Sequence, residues 1–106
     1  MSKSLLVADD SVTIQKAVGI VFAGEGYRVT AASDGEEALR IARENRPDAI
    51  LVDVALPGLD GYQLCEAIRA EAALREVPVL LLSGPSTPYD EARGRAAGAD
   101  GSLARP

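Results

Sequence analysis

Three uninterrupted apolar runs limit what this chain can fold into: Leu5-Leu6-Val7-Ala8, Ala49-Ile50-Leu51-Val52 and Val79-Leu80-Leu81-Leu82. A strand with one wet face alternates apolar and polar residues. Short continuous runs instead suit strands covered on both faces, as in a parallel sheet. Tyr27 to Ala32 mixes the two residue types and reads as an edge strand, and Gly101-Ser102-Leu103 as a fifth, weak one.

Helical patterns fill the gaps. Ile14, Val18, Val21 and Phe22 make one apolar stripe at helical spacing, and Gly24 and Gly26 end it. A second helix runs from Asp34 to Asn45, with Asp34 as its cap and Glu37 completing a capping-box-like pair. Its Ala38, Leu39 and Ala42 face the sheet. A third helix starts near Asp60 and turns Leu64, Cys65 and Ile68 inward. A fourth spans Tyr89 to Ala97, weakened by Gly94, with Ala92 and Ala96 as small packing groups. Strands therefore alternate with helices long enough for parallel crossovers. The expectation is an α/β fold forming one domain over residues 1–106.

Composition narrows the chemistry. There is no histidine and one cysteine, Cys65. His-based triads, imidazole bases, internal disulfides and thiolate metal clusters are excluded. The formal charge is −5 with no block of Lys or Arg, so no direct nucleic-acid contact is expected. The first apolar run is too short for a signal peptide or a membrane span, and the default location is the cytoplasm.

The polar residues of interest stand just past strand ends: Asp9 and Asp10 after the first strand, Asp53 after the third, Ser83 after the fourth and Arg105 after the fifth. In open parallel sheets the ligand crevice lies outside these ends, where the strand order reverses. Three carboxylates meeting there stay ionised only beside a cation. An all-oxygen donor set favours a hard one, Mg²⁺ above all beside phosphate. A hydroxyl and a cationic side chain, here Ser83 and Arg105, can stabilise oxygens in transfer to a carboxylate. One of Asp9, Asp10 and Ser11 is also needed to cap the first helix.

The motifs together resemble the receiver domain of two-component response regulators. Asp9-Asp10-Ser11 is similar to the family's acidic pair. Asp53 to Gly61 is similar to its phosphoacceptor loop, Leu82-Ser83-Gly84 to its Ser/Thr site, and Gly98 to Pro106 to its closing motif. The resemblance implies a flavodoxin-like, doubly wound five-stranded parallel sheet of order 2-1-3-4-5. It implies that Asp53 accepts a phosphoryl group from a histidine kinase or phosphotransfer protein. Asp10, Asp53 and the backbone carbonyl of Ala55 would hold Mg²⁺, with Asp9 acting through water. Ser83 would report the phosphoryl group and Arg105 would neutralise it. The product is a signalling switch that reaches a downstream effector by protein contact, and not an enzyme with an external substrate.

This sequence departs from the family at three places. Arg105 stands where the family has Lys, Ser102 where it has Tyr or Phe, and no fifth helix follows. The expectations are a chain cut before its last helix, apolar surface exposed on strands one, three and four, and a homodimer or swapped assembly through that face. The Arg105-Pro106 peptide is normally cis in the family. The competing reading is a pseudo-receiver, a protein-interaction module with no working phosphorylation switch. A phosphohydrolase on the same sheet is disfavoured, because Ala55 stands where an acid/base carboxylate would be needed.

Overall fold

The computed structural model describes residues 3–105. Strands β1 (Lys3–Ala8), β2 (Tyr27–Ala32), β3 (Ala49–Asp53), β4 (Val79–Ser83) and β5 (Gly101–Ala104) alternate with helices α1 (Val12–Ala23), α2 (Gly35–Glu44), α3 (Gly61–Ala70) and α4 (Glu91–Ala97). Every pair is parallel and the order is β2-β1-β3-β4-β5. The expected α/β, doubly wound, flavodoxin-like class and its strand order are found.

Burial on two faces explains the apolar runs. Leu6, Ala8, Ile50, Val52, Val79 and Leu81 pack with Ala38, Leu39 and Ala42 of α2 and with Leu64, Cys65 and Ile68 of α3. Their neighbours Leu5, Val7, Leu51 and Leu82 point the other way and meet Val18 of α1. The period of two persists, but both phases are dry. Each large side chain so buried contributes about 1.5–3 kcal/mol. β2 exposes Arg28, Thr30 and Ala31, so it can lie only at an edge. Cys65 is a core residue, as expected, and burial pushes its thiol up to about 11.

The helices begin where a short polar side chain takes an orphan amide. Ser11 accepts from Ile14 N–H, Asp34 from Glu37, Asp60 from Gln63 and Asp90 from Arg93. The expected capping-box partner of Asp34 is corrected: the Glu37 carboxylate accepts from Ser33 N–H at 2.8 Å instead. The reciprocal box is at Asp60 and Gln63. The two caps differ in φ, −148° at Asp34 and −70° at Asp60, which turns a different amide toward the first turn.

Two more expectations are corrected by packing. α4 begins at Glu91, because Asp90 caps it and Tyr89 stacks on Tyr62 with ring centroids 6.2 Å apart. Gly94 is buried against the Tyr89 ring, which a Cβ there would run into. The buried face of α4 is thus Gly94 and Ala97, not Ala92 and Ala96. On α1, Val18 is buried but Val21 is 61 % exposed. Leu5, Val7, Leu51 and Leu82 are all 5 % exposed or less, at 2 %, 0 %, 4 % and 2 %, since Ile14, Val18 and Phe22 pack over them. The apolar exposure expected on strands one, three and four falls instead on Val12, Ile20, Val21 and Leu103. Val21 and Leu103 line a groove of about 230 Å³. The peptide joining Arg105 to Pro106, expected to be cis, lies outside the described residues.

Candidate functional site

β1 and β3 are neighbours at the point where the strand order reverses, the place where such sheets form their crevice. Asp9 directly follows β1 and Asp53 ends β3. Asp9, Asp10 and Asp53 each bring a carboxylate oxygen within 4.8 Å of the others. Asp9 is fully buried, Asp53 is 2 % exposed, and Asp10 is open to solvent. Ser11 caps α1, so neither member of the acid pair is needed for that task.

The local bonds are unevenly shared. Asp9 Oδ1 accepts from Ser11 N–H at 2.9 Å and from Arg105 Nη2 at 3.0 Å. Asp9 Oδ2 is buried with no partner among the described residues. Asp53 Oδ1 accepts from Ala55 N–H at 3.1 Å, while its Oδ2 lies 3.9 Å from Arg105 Nη1. Arg105 Nε is also buried with no partner among the described residues. Such orphaned atoms in a native site call for an explanation, a missing ion among them. Burial pushes the Asp9 carboxyl above its ordinary value. The Ser11 amide pulls it back, the Asp53 charge raises it, Arg105 lowers it and Asp10 raises it again.

Ser83 ends β4 and is partly exposed. The register sets Leu82 beside Asp53, so Ser83 stands one residue beyond on the neighbouring strand. Its carbonyl accepts from Arg105 N–H at 2.7 Å, which ties the exit of β5 to the exit of β4. The five side chains expected at the site thus gather at one end of the sheet, and Ala55 is joined to it through its amide. Ser102, by contrast, is exposed on β5.

Two features had no local signal in the sequence. Gln15 donates from Nε2 to the Asp9 carbonyl at 2.6 Å, binding α1 to the acidic loop. Only its place one turn after the Ser11 cap hints at this. Arg105 lies between Asp9 and Asp53, across 96 and 52 positions of sequence.

The donor set fits a hard divalent cation. It is all carboxylate, held in one cluster, with a buried oxygen lacking a donor.

Comparison with known proteins gives a consistent pattern. Residues 5–106 match the response regulator receiver domain. The chain is 38 % identical over 103 residues to the transcriptional regulatory protein AfsQ1 of Streptomyces coelicolor, covering 97 % of this chain and 44 % of that protein. It is 38 % identical to the alkaline phosphatase synthesis transcriptional regulatory protein PhoP of Bacillus subtilis, covering 100 % of this chain and 43 % of that one. The chain therefore spans less than half the length of these curated relatives.

Among solved structures, a putative response regulator from Chloroflexus aurantiacus superposes with a TM-score of 0.92 at 39 % identity, over 100 % of this chain and 87 % of that one. The receiver domain of the sensor histidine kinase PA1611 from Pseudomonas aeruginosa, solved with magnesium in its active-site cleft, has a TM-score of 0.88 at 36 % identity. That match covers 100 % of this chain and 87 % of the other.

Proposed function

This chain belongs to the response regulator receiver domain family, and on that premise we propose that it is a Mg²⁺-dependent phosphorylation switch with Asp53 as the phosphoacceptor. One observation carries the reading. Beside the buried Asp53 carboxylate, Asp9 Oδ2 lacks a donor and Arg105 Nε lacks an acceptor among the described residues. A pocket short of one positive and one negative partner suits a cation and a phosphoryl group together.

In the proposed reaction an Asp53 carboxylate oxygen attacks the phosphorus of a phosphohistidine on a kinase or phosphotransfer protein. The O–P bond forms as the P–N bond breaks, and the imidazole leaves with the electron pair and takes up a proton. Asp10, Asp53 and the Ala55 carbonyl would hold Mg²⁺, with Asp9 acting through water. When bound, that ion supplies positive charge opposite the phosphoryl oxygens. Arg105 and the Ser83 hydroxyl take the remaining oxygens. The acyl phosphate then biases the domain between two arrangements.

The whole domain is read as a single unit over residues 1–106 that works by protein contact, in the cytoplasm where its donor kinase acts. No helix among the described residues is long and apolar enough to cross a membrane. The net charge of −5 speaks against direct nucleic-acid contact by this unit.

The test is intact mass after treatment with acetyl phosphate and Mg²⁺. The expected result is a gain of one phosphate, abolished in Asp53→Asn. No gain with any donor would favour the interaction-module reading, for which the exposed Ser102 in place of an aromatic ring is the supporting observation.

A further inference from the structure

We propose that Gln15 is a positioning residue for the cation site. Its side-chain amide pins the peptide that joins Asp9 to Asp10, and so holds the two neighbouring acids in the arrangement a divalent cation needs. The proposal rests on the metal reading above and names a residue that supports that site without touching the ion.

The amide of Gln15 faces three acceptors. Nε2 lies 2.6 Å from the Asp9 carbonyl, 3.4 Å from the Ala32 carbonyl and 3.3 Å from Ser33 Oγ. Carbonyls can only accept, so the NH₂ end of the side chain, not its oxygen, must face them. The residue is half-buried, and its backbone is fixed as well: Gln15 N–H donates to the Ser11 carbonyl at 3.0 Å in the first turn of α1. Ser33 N–H in turn donates to Glu37 Oε1 at 2.8 Å, which extends the chain of bonds to α2. One side chain thus ties the exits of β1 and β2 to the start of α1.

The consequence for the acids follows from peptide planarity. The Asp9 carbonyl and the Asp10 N–H belong to one rigid unit. Asp9 is secured elsewhere too: its N–H donates to the Ala32 carbonyl at 3.0 Å, and its Oδ1 accepts from Ser11 N–H at 2.9 Å. Asp10 lacks such support. It is open to solvent, and among the described residues its N–H meets no backbone carbonyl. The bond from Gln15 therefore fixes the plane from which Asp10 projects. Without it, repulsion among Asp9, Asp10 and Asp53, whose carboxylate oxygens come within 4.8 Å of one another, would turn Asp10 away. Holding Asp10 beside the others beforehand lowers the ordering cost of taking up the cation. Supporting groups of this kind are worth about 10–100-fold in metal affinity.

Calorimetric titration with MgCl₂ tests this on the wild type and on Gln15→Met, which keeps the length of the side chain but has no N–H to donate. The expected result is binding about tenfold weaker in Gln15→Met, with phosphorylation by acetyl phosphate slowed at limiting Mg²⁺ and restored at saturating Mg²⁺. A merely structural role would lower the melting temperature and leave the affinity of the folded protein unchanged. Equal or tighter binding by the variant therefore overturns the positioning role and leaves the metal site standing. No binding by either protein overturns both. Should Gln15→Met fail to fold, the wild type decides by ¹⁵N relaxation without Mg²⁺. A pinned peptide gives the Asp10 amide the order parameter of rigid backbone, about 0.85, and a mobile one, nearer 0.6, overturns the proposal.

Discussion

Arg105 Nη2 lies 3.0 Å from Asp9 Oδ1, although 96 positions separate them in the sequence. The two residues follow β1 and β5, which β3 and β4 separate in the sheet, so the long arginine side chain reaches back across two strand ends. One guanidinium there offsets part of three neighbouring negative charges.

The Asp9 charge is therefore expected to weaken the metal-free fold. Burial, foremost, raises its carboxyl above the ordinary 3.8, so the folded state binds this proton more tightly than the unfolded chain does. The resulting stabilisation is complete below 3.8 and is lost as pH rises through the folded value. Asp9→Asn should then melt at a higher temperature than wild type at pH 7 in EDTA. The gap should narrow as the pH falls toward 3.8, and excess Mg²⁺ should reverse the order. Equal melting temperatures at pH 7 in EDTA would refute this.

Gly61 opens α3 directly against the end of β3. A Cβ there would lie 2.6 Å from the Asp53 carbonyl oxygen and 2.9 Å from Val54 Cα. Both are backbone atoms that cannot swing aside. Gly61→Ala should destabilise the domain by about 1–3 kcal/mol, as overpacking does, despite the better helix propensity of alanine. It should also slow phosphorylation by acetyl phosphate, because the displaced segment carries Asp53. Urea melts and the phosphorylation rate read both effects; a variant as stable as wild type would show that the approach is relaxed.

Arg69 holds the entrance of β4 to the exit of α4. Its guanidinium donates to the carbonyls of Gly98 at 2.8 Å, Arg75 at 2.9 Å and Val77 at 2.6 Å, and to Asp100 Oδ2 at 2.8 Å. Asp100 Oδ2 also accepts from Val79 N–H. Arg69→Ala leaves several of these acceptors without a donor and should cost about 1–3 kcal/mol. Arg69→Lys should recover only part, since an ammonium cannot span so many acceptors. Chemical denaturation of the three proteins measures this, and a loss below about 0.5 kcal/mol would reduce the cluster to ordinary surface pairs.

The candidate site was legible where its signal is local. Asp9 and Asp53 each terminate an apolar run, and an acid at such a boundary stands out in one dimension. The helix cap Asp34 was legible for the same reason, since a cap acts within three residues. Legibility failed where a residue's surroundings come from elsewhere in the chain. Val21 has the spacing of an inward residue, yet Ile14, Val18 and Phe22 already cover the strands beneath α1. Gly94 looked like a weak point in a helix, and the reason for it is the Tyr89 ring.

By itself the sequence determined which segments could be dry on both faces, hence a parallel sheet with its acids beyond the strand ends. These follow from hydrophobicity and periodicity, which are properties of short stretches. Only the tertiary structure decided which acid is sealed from solvent, which amide each carboxylate accepts, and that Arg105 bridges Asp9 and Asp53. Those outcomes depend on strand register and on charges brought close by folding. Such distances exist only once the sheet has assembled.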